Sequence, residues 1–309
     1  MKIAEKLKII LNLGFFTQEK LAQRLGVSFV TLNSWIKERS TPHKKKQVKI
    51  DQFYLLLSGN KKIPSSLLQA KKELIEQKSL KHKNVLEKIL KYPDLQDQFI
   101  LSLTYHTNSI EGSTLTENET ARVIFAGKSL PDKTLVEQLE AKNHQTALRY
   151  LFRFMQSNQK IEEDLFLKLH SILMNSIRDD AGLYRRHGVR IVGANVPTSN
   201  FLKIPALMNK LVLDINKQKK DAISHIAEIH SRFEKIHPFA DGNGRVGRLI
   251  IHAMALRKNL PPSLIKQEDK NIYYAALNKA QSSSDQSILE DFIIDSFLNS
   301  FCLMDERNK

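Results

Sequence analysis

Apolar residues recur at helical spacing along almost the whole chain. Leu21, Ala22 and Leu25 make one short stripe, and Leu32, Trp35 and Ile36 make the next. Val85, Leu86, Ile89 and Leu90 follow at i, i+1, i+4 and i+5. The same period predicts helices over 117–126, 133–156, 161–177, 203–217, 221–236, 244–258, 270–281 and 287–304. The apolar run from Ile9 to Phe16 follows lysines, as in a signal peptide, but Asn12 interrupts it and no small-residue cleavage site follows. It reads as a first helix. Strand-like alternation occurs once, in GVRIVGANV (188–196), where Val189 and Ile191 alternate with Arg190 between glycines. The expected fold class is all-α with one small β-hairpin, plus a small helical domain at the front.

Length and composition refine this picture. The chain has 309 residues and 41% hydrophobic content, enough for two domains with real cores. Residues 61–84 are lysine-heavy and poorly apolar, which places a basic linker helix between domains. The expected division is 1–60, 61–90 and 91–305. No stretch reaches the ~18 consecutive apolar residues of a membrane span. Cys302 is the single cysteine, so no intrachain disulfide can form and a reducing, cytoplasmic location is expected. Residues 1–100 carry 20 lysines and arginines against 9 acids, so most of the net +15 lies at the front. Such asymmetry points to a polyanionic partner.

TQEKLAQRLGVSFVTLNSWIKERSTP (17–42) supplies the reader. Thr17 and Ser28 cap two short helices, and Gly26 makes the turn between them. Leu32, Trp35 and Ile36 pack the second helix inward, leaving Phe29, Val30, Asn33 and Ser34 outward. The segment resembles the repressor-type helix-turn-helix family over about residues 1–57. That resemblance implies double-stranded DNA as partner, with the second helix in the major groove. The expected contacts are Gln18, Ser28, Phe29, Asn33 and Ser34, with Lys44 and Lys45 on phosphates. Such modules often bind as dimers on two-fold sites, so a homodimer is expected. The alternative is a helical module that docks proteins.

HPFADGNGRVGR (237–248) holds the densest chemistry. The helical period of 223–236 stops before Pro238 and resumes at Val246, so the loop between delivers its backbone to a helix N-terminus. Free N–H groups and the helix dipole make an anion site there. Gly242 and Gly244 let that backbone approach a ligand, and Asn243 tolerates left-handed dihedrals. Arg245 and Arg248, at i and i+3, oppose the dipole until a multiply charged anion such as a triphosphate stands before them. Asp241 offers a carboxylate to Mg²⁺, and His237 can take a proton near neutral pH.

With every fixed position of H-x-F-x-D/E-G-N-G-R-x-x-R present, this stretch resembles the signature of the Fic (filamentation induced by cAMP) family. The resemblance spans about residues 92–302. It implies a mostly helical fold and transfer of AMP from ATP to a Ser, Thr or Tyr hydroxyl of a protein, the chain itself included. His237 would then be the general base, Asp241 the Mg²⁺ ligand, and Gly242, Asn243 and Gly244 the α-phosphate cradle. Arg245 would bind phosphates, Arg248 the γ-phosphate, and Phe239 would anchor the loop. GLYRRHGVRIVGANVPTSN (182–200) resembles the family's target-aligning flap, with Val189, Ile191 and Gly193 on the hairpin. IYYAAL (272–277) resembles the segment against the adenine, where Tyr273 or Tyr274 would make the contact; ordinary core packing is the other reading of that pair.

Thr107-x-x-x-Glu111-Gly112 matches the family's inhibitory motif, S/T-x-x-x-E/Q-G/N, on an expected helix over 104–112. The resemblance implies that Glu111 pairs with Arg248 and blocks productive ATP placement. Two further readings use the same residues: removal of AMP from a modified protein, and a DNA-binding regulator whose second domain only senses nucleotide. Intact His237 disfavours the sensor, which has no use for a base. The absence of G-x-x-x-x-G-K-S/T disfavours a P-loop enzyme.

Overall fold

Local caps decide where the first helices begin and end. In the computed structural model α1 runs Ile3–Gly14, α2 Gln18–Leu25, α3 Phe29–Ile36 and α4 Lys44–Leu57. Thr17 accepts from Lys20 N–H at 3.2 Å, and Ser28 from Thr31 N–H at 3.1 Å. Gly26 ends α2 at φ 68°, where a side chain would be strained. Leu7, Ile10, Leu21, Leu25, Leu32 and Ile50 are fully buried together, and Trp35 closes the cluster.

The structure describes residues 2–14, 16–58, 62–190, 196–283 and 285–306. They fall into two units, Met1–Pro64 with Glu268–Leu289, and Ser65–Gln267 with Glu290–Lys309. The larger unit holds α5 (Ser65–Lys81), α6 (Val85–Lys91), α7 (Pro93–Glu111), α8 (Glu117–Ile124), α9 (Leu135–Gln156), α10 (Glu163–Leu173), α11 (Ile204–Ile215), α12 (Ala222–Ile236) and α13 (Asn243–Arg257). The next helix, α14 (Lys270–Ser282), belongs to the front unit and packs against α4. From Glu290 onward α15 (Ser287–Glu306) is again part of the larger unit.

Three lysines of the expected linker reach α15. Lys71 reaches Asp291 (2.5 Å) and Asp295 (2.7 Å), Lys72 reaches Glu290 and Asp221 (both 2.5 Å), and Lys78 reaches Asp305 (2.8 Å). His82 adds a 2.8 Å contact to Asp305. The helical form of 65–81 follows the sequence reading; its membership of the larger unit comes from pairs more than 200 residues apart, such as Lys71 with Asp291.

Capping boxes start α8 (Thr116 with Glu119) and α9 (Thr134 with Glu137). α9 packs against α7, α8, α10 and α13. α13 is buried on every side from Val246 to Leu256, as a helix at the centre of a layered core must be. Gly247 lets α12 approach it: a Cβ there would lie 2.5 Å from Glu234 Oε1 and 3.1 Å from His230 Cε1.

One expectation shifts, and another falls largely outside the described residues. The helix expected over 161–177 ends at Leu173, where Met174 caps it and Ser176 turns the chain at φ 59°. No strand occurs among the described residues, so the hairpin is not seen; Val189 is described without strand pairing, and Ile191 and Gly193 lie outside the described residues. Among the described residues no helix is long and apolar enough to cross a membrane.

Trp35, the chain's one tryptophan, sits in the same core as Leu25 and reports its unfolding. Leu25→Ala is expected to cost the front unit about 2–5 kcal/mol, read as a fall in the urea midpoint of Trp35 fluorescence.

Candidate active site

Pro238 stops α12 and forces the residue before it out of the helical region. His237 therefore ends the helix in a left-handed conformation, φ 51° and ψ 61°. Asn243 folds the loop back on itself: its Nδ2 donates to Phe239 O and its Oδ1 accepts from Phe239 N–H, both at 2.9 Å. The sequence reading put Asn243 on a phosphate; here both its polar atoms also build the loop, through one of the two Nδ2 hydrogens and Oδ1. The loop presents the backbone of Gly242 and Gly244 and the first turn of α13, whose N–H groups have no partner within a helix. Gly242 is required by its φ of 77°; a Cβ there would also push aside the flexible end of Met174, 2.2 Å away at Cε.

His170 supports the loop from below. Its ring stacks on Phe239 at 3.8 Å and 8°. Its Nδ1 accepts from Gly182 N–H at 2.8 Å, so its Nε2 carries the proton and donates to Asp241 O at 3.1 Å. Burial pushes the His170 pKa down to about 4, which keeps that arrangement intact at neutral pH.

The two loop arginines are buried, each 3% exposed. Arg245 pairs with Glu140 at 2.6 Å and lies 3.7 Å from Asp241. Arg248 donates from Nε to Thr107 Oγ1 at 2.6 Å and from Nη2 to Glu111 Oε1 at 2.5 Å. A Cβ on Gly244 would lie 2.6 Å from Glu111 Oε1 and 3.0 Å from Arg248 Nη1. The Glu111 carboxylate thus stands over the first turn of α13, where an anion belongs.

At the end of α12, His237 Nδ1 donates to Glu234 O at 3.3 Å, leaving the lone pair on Nε2. Burial pushes its pKa down to about 4; the Glu234 carbonyl opposes this, the Arg185 cation adds to it, and Glu111 and Asp241 oppose it. His237 is therefore a neutral acceptor at physiological pH. Beneath it, burial drives His230 and His252 down to about 3 and His144 well below its ordinary value, and lifts Glu234 to about 8. Arg248 is the cation that this neutral set surrounds.

Asp241 offers a carboxylate that is 56% exposed, with Oδ1 accepting from Gly242 N–H at 2.6 Å. No cluster of three metal-ligating side chains exists among the described residues. That donor set suits Mg²⁺, which commonly takes one carboxylate and completes its shell with phosphates and water.

The other expected residues belong to the front unit. Tyr273 is buried and Tyr274 exposed on α14, rings 5.3 Å apart. Phe29 and Val30 are exposed on α3; Gln18, Asn33 and Ser34 are half exposed, and Ser34 shares its hydroxyl with Ser40 at 2.8 Å. Ser28 is spent as the α3 cap. Lys44 and Lys45 are exposed on the first turn of α4, while Lys46 turns inward to Leu25 O and Gly26 O.

Sequence reasoning missed four residues that hold the site: His170, Glu140, Glu234 and Arg185. Each acts through a partner at least 50 residues away or as a buried acid, and only the adjacency of Arg185 to the flap segment gave a signal.

Residues 160–255 match the Fic/DOC family model. The chain is 31% identical over 180 residues to protein adenylyltransferase Fic of Nematostella vectensis, covering 57% of this chain and 42% of that protein. It is 33% identical over 183 residues to protein adenylyltransferase fic-1 of Caenorhabditis elegans, covering 57% and 35%. The chain thus spans less than half the length of these curated relatives. Among solved structures, a Fic-domain-containing signaling protein from Bacteroides thetaiotaomicron aligns with TM-score 0.65 at 23% identity, over 75% of this chain and 95% of that one. Fic-1 from C. elegans aligns with TM-score 0.68 at 20% identity, over 98% and 88%. The fold is the Fic fold.

The buried titratable groups set an acid limit on the site. His144, His170, His230, His237 and His252 bind a proton in the unfolded chain below about pH 6.5 but resist it when folded. Each therefore removes up to about 1.4 kcal/mol per pH unit as pH falls below 6.5 toward its folded value. Glu234 runs the other way: its contribution is whole below its ordinary 4.5 and is lost as pH rises to about 8. Five groups against one predict a Tm that rises from pH 4.5 to 6.5; a flat or falling Tm would contradict the neutral cluster.

Proposed function

We propose that this chain is a protein adenylyltransferase that moves AMP from ATP onto a Ser, Thr or Tyr hydroxyl, its own included. The observation that carries this reading is His237, neutral and with its lone pair on Nε2, beside a loop built to cup phosphates. In the step, the acceptor oxygen bonds to the α-phosphorus as the bond to the bridging oxygen breaks. Pyrophosphate leaves with the electron pair, and the hydroxyl proton passes to His237 Nε2. Backbone N–H groups at the start of α13 stabilise the charge on the α-phosphate. Mg²⁺, held by Asp241, neutralises phosphate charge when bound.

The same reading makes Glu111 a brake. Its carboxylate holds Arg248 at 2.5 Å, and that guanidinium cannot offer the same N–H to a γ-phosphate. A carboxylate over the α13 N-terminus also repels the polyphosphate that belongs there. A few kcal/mol of differential binding suffices to release it.

For residues 1–60 we propose double-stranded DNA as the partner, supported by the capped α2–turn–α3 pair and the exposed Phe29, Lys44 and Lys45. A dimer on a two-fold site follows from that use. Lys44→Ala with Lys45→Ala is expected to weaken DNA binding for every sequence and to flatten its salt dependence in a mobility-shift titration.

Incubation with Mg²⁺-ATP followed by mass spectrometry tests the transfer. Glu111→Gly is expected to gain AMP at least about tenfold faster than the parent, and adding His237→Ala to abolish the gain. Equal labelling with and without Glu111 removes the brake; loss of AMP from a premodified protein in place of gain favours the reverse reaction. Because His237 titrates near 4, the labelling rate is expected to stay level from pH 8 down to about 5 rather than falling at 6.5.

A further inference from the structure

Arg185 is 4% exposed, and its fork is spent on main-chain carbonyls. Nε donates to His237 O at 2.7 Å, Nη1 to His187 O at 2.7 Å, and Nη2 to Ser199 O at 2.6 Å and Ile236 O at 3.3 Å. Its own N–H donates to Pro238 O at 2.9 Å. One residue therefore collects the carbonyls of 236, 237 and 238, which turn the chain at the end of α12. It also collects those of 187 and 199, at the two ends of the neighbouring segment. The carbonyls at the end of α12 have lost their helical partners and carry the negative end of its dipole, so a buried cation is the group that satisfies them. Arg186, the next residue, is exposed.

We infer that Arg185 is a positioning residue: it holds the left-handed backbone of His237, and with it the aim of the imidazole, while tying both ends of the 187–199 segment to the same point. The inference rests on the adenylyltransferase reading above. A left-handed histidine costs energy and persists only where its surroundings hold it. The hydrogen bonds of Arg185 to residues 236, 237 and 238 supply that hold. The nucleotide side of the site hangs from other supports: Asp241 from His170, Arg245 from Glu140, and Arg248 from Thr107 and Glu111. Loss of Arg185 should therefore uncouple base placement from nucleotide binding.

The test uses the full chain in a Glu111→Gly background, with Arg185→Lys, Arg185→Gln and the exposed control Arg186→Gln. Arg185→Lys keeps the charge but a single ammonium cannot span four carbonyls. A loss of about 100-fold in kcat is expected for Arg185→Lys and Arg185→Gln, the scale of a misplaced catalytic group, with KM for ATP within about twofold of the parent. Arg186→Gln is expected to match the parent. NMR titration of the His237 imidazole supplies a readout apart from turnover. The charges facing it are Arg185, Glu111 and Asp241, with the Glu234 carbonyl on Nδ1. In this background Arg185→Gln should raise the His237 pKa, because a nearby cation is removed, and Arg185→Lys should leave it low. Parent-like kcat in Arg185→Lys overturns the inference, as does a KM for ATP that rises in step with the fall in kcat. Should Glu111→Gly transfer no AMP at all, the functional reading fails; an unmoved His237 pKa in Arg185→Gln would then overturn the inference independently.

Discussion

A single guanidinium organises the centre of the larger unit. Arg248 is buried among His144, His230, His252 and Glu234, all of which are neutral at pH 7 because burial forbids them charge. Glu111 answers it with a carboxylate oxygen 2.5 Å from Nη2. A buried cation left without a partner is costly, so the pair fixes α7 against α13. It also explains why the first turn of α13 carries a glycine: any side chain at Gly244 would meet the Glu111 carboxylate. The contact that ties two helices together thus also stands over the first turn of α13.

The loop follows the same economy of roles. Its recognisable residues do not all face the ligand. Asn243 and Phe239 shape the turn, His170 and Arg185 hold its carbonyls, and Arg245 and Arg248 lie in the core with carboxylate partners. Asp241 keeps an exposed carboxylate and the first turn of α13 keeps its free backbone N–H groups, so the density of constrained residues in so short a stretch serves mainly to fix backbone geometry.

How much of this was legible in the sequence depends on range. Thr17, Gly26 and Ser28 act within four residues, and their caps could be read directly. The break at Pro238 and the helix resuming after Gly242 are likewise local. The pairing of Glu111 with Arg248 spans 137 residues and became readable only through a motif at each end, while the bond from Arg248 to Thr107 was not read. Where no motif existed the reading stopped. Nothing in GLYRRHG tells Arg185 from Arg186, yet one is buried under five carbonyls and the other faces water. Glu140 looks like any helix-surface acid until Arg245 is seen against it. The structural role of Asn243 was equally illegible: its two bonds to Phe239 depend on how the turn folds and not on any pattern along the chain.

The path of the chain through α14 bears on how this architecture can be recombined. The front unit draws Ala275 into its hydrophobic cluster and an ion pair between Arg24 and Asp269 from a segment encoded after the signature loop. Cutting the gene after residue 64 would therefore not liberate a finished cassette. It would strip α4 of a packing neighbour and leave α14, with Tyr273 at its heart, looking for one. Any graft of this front end onto another protein must carry both segments to keep α14 against α4.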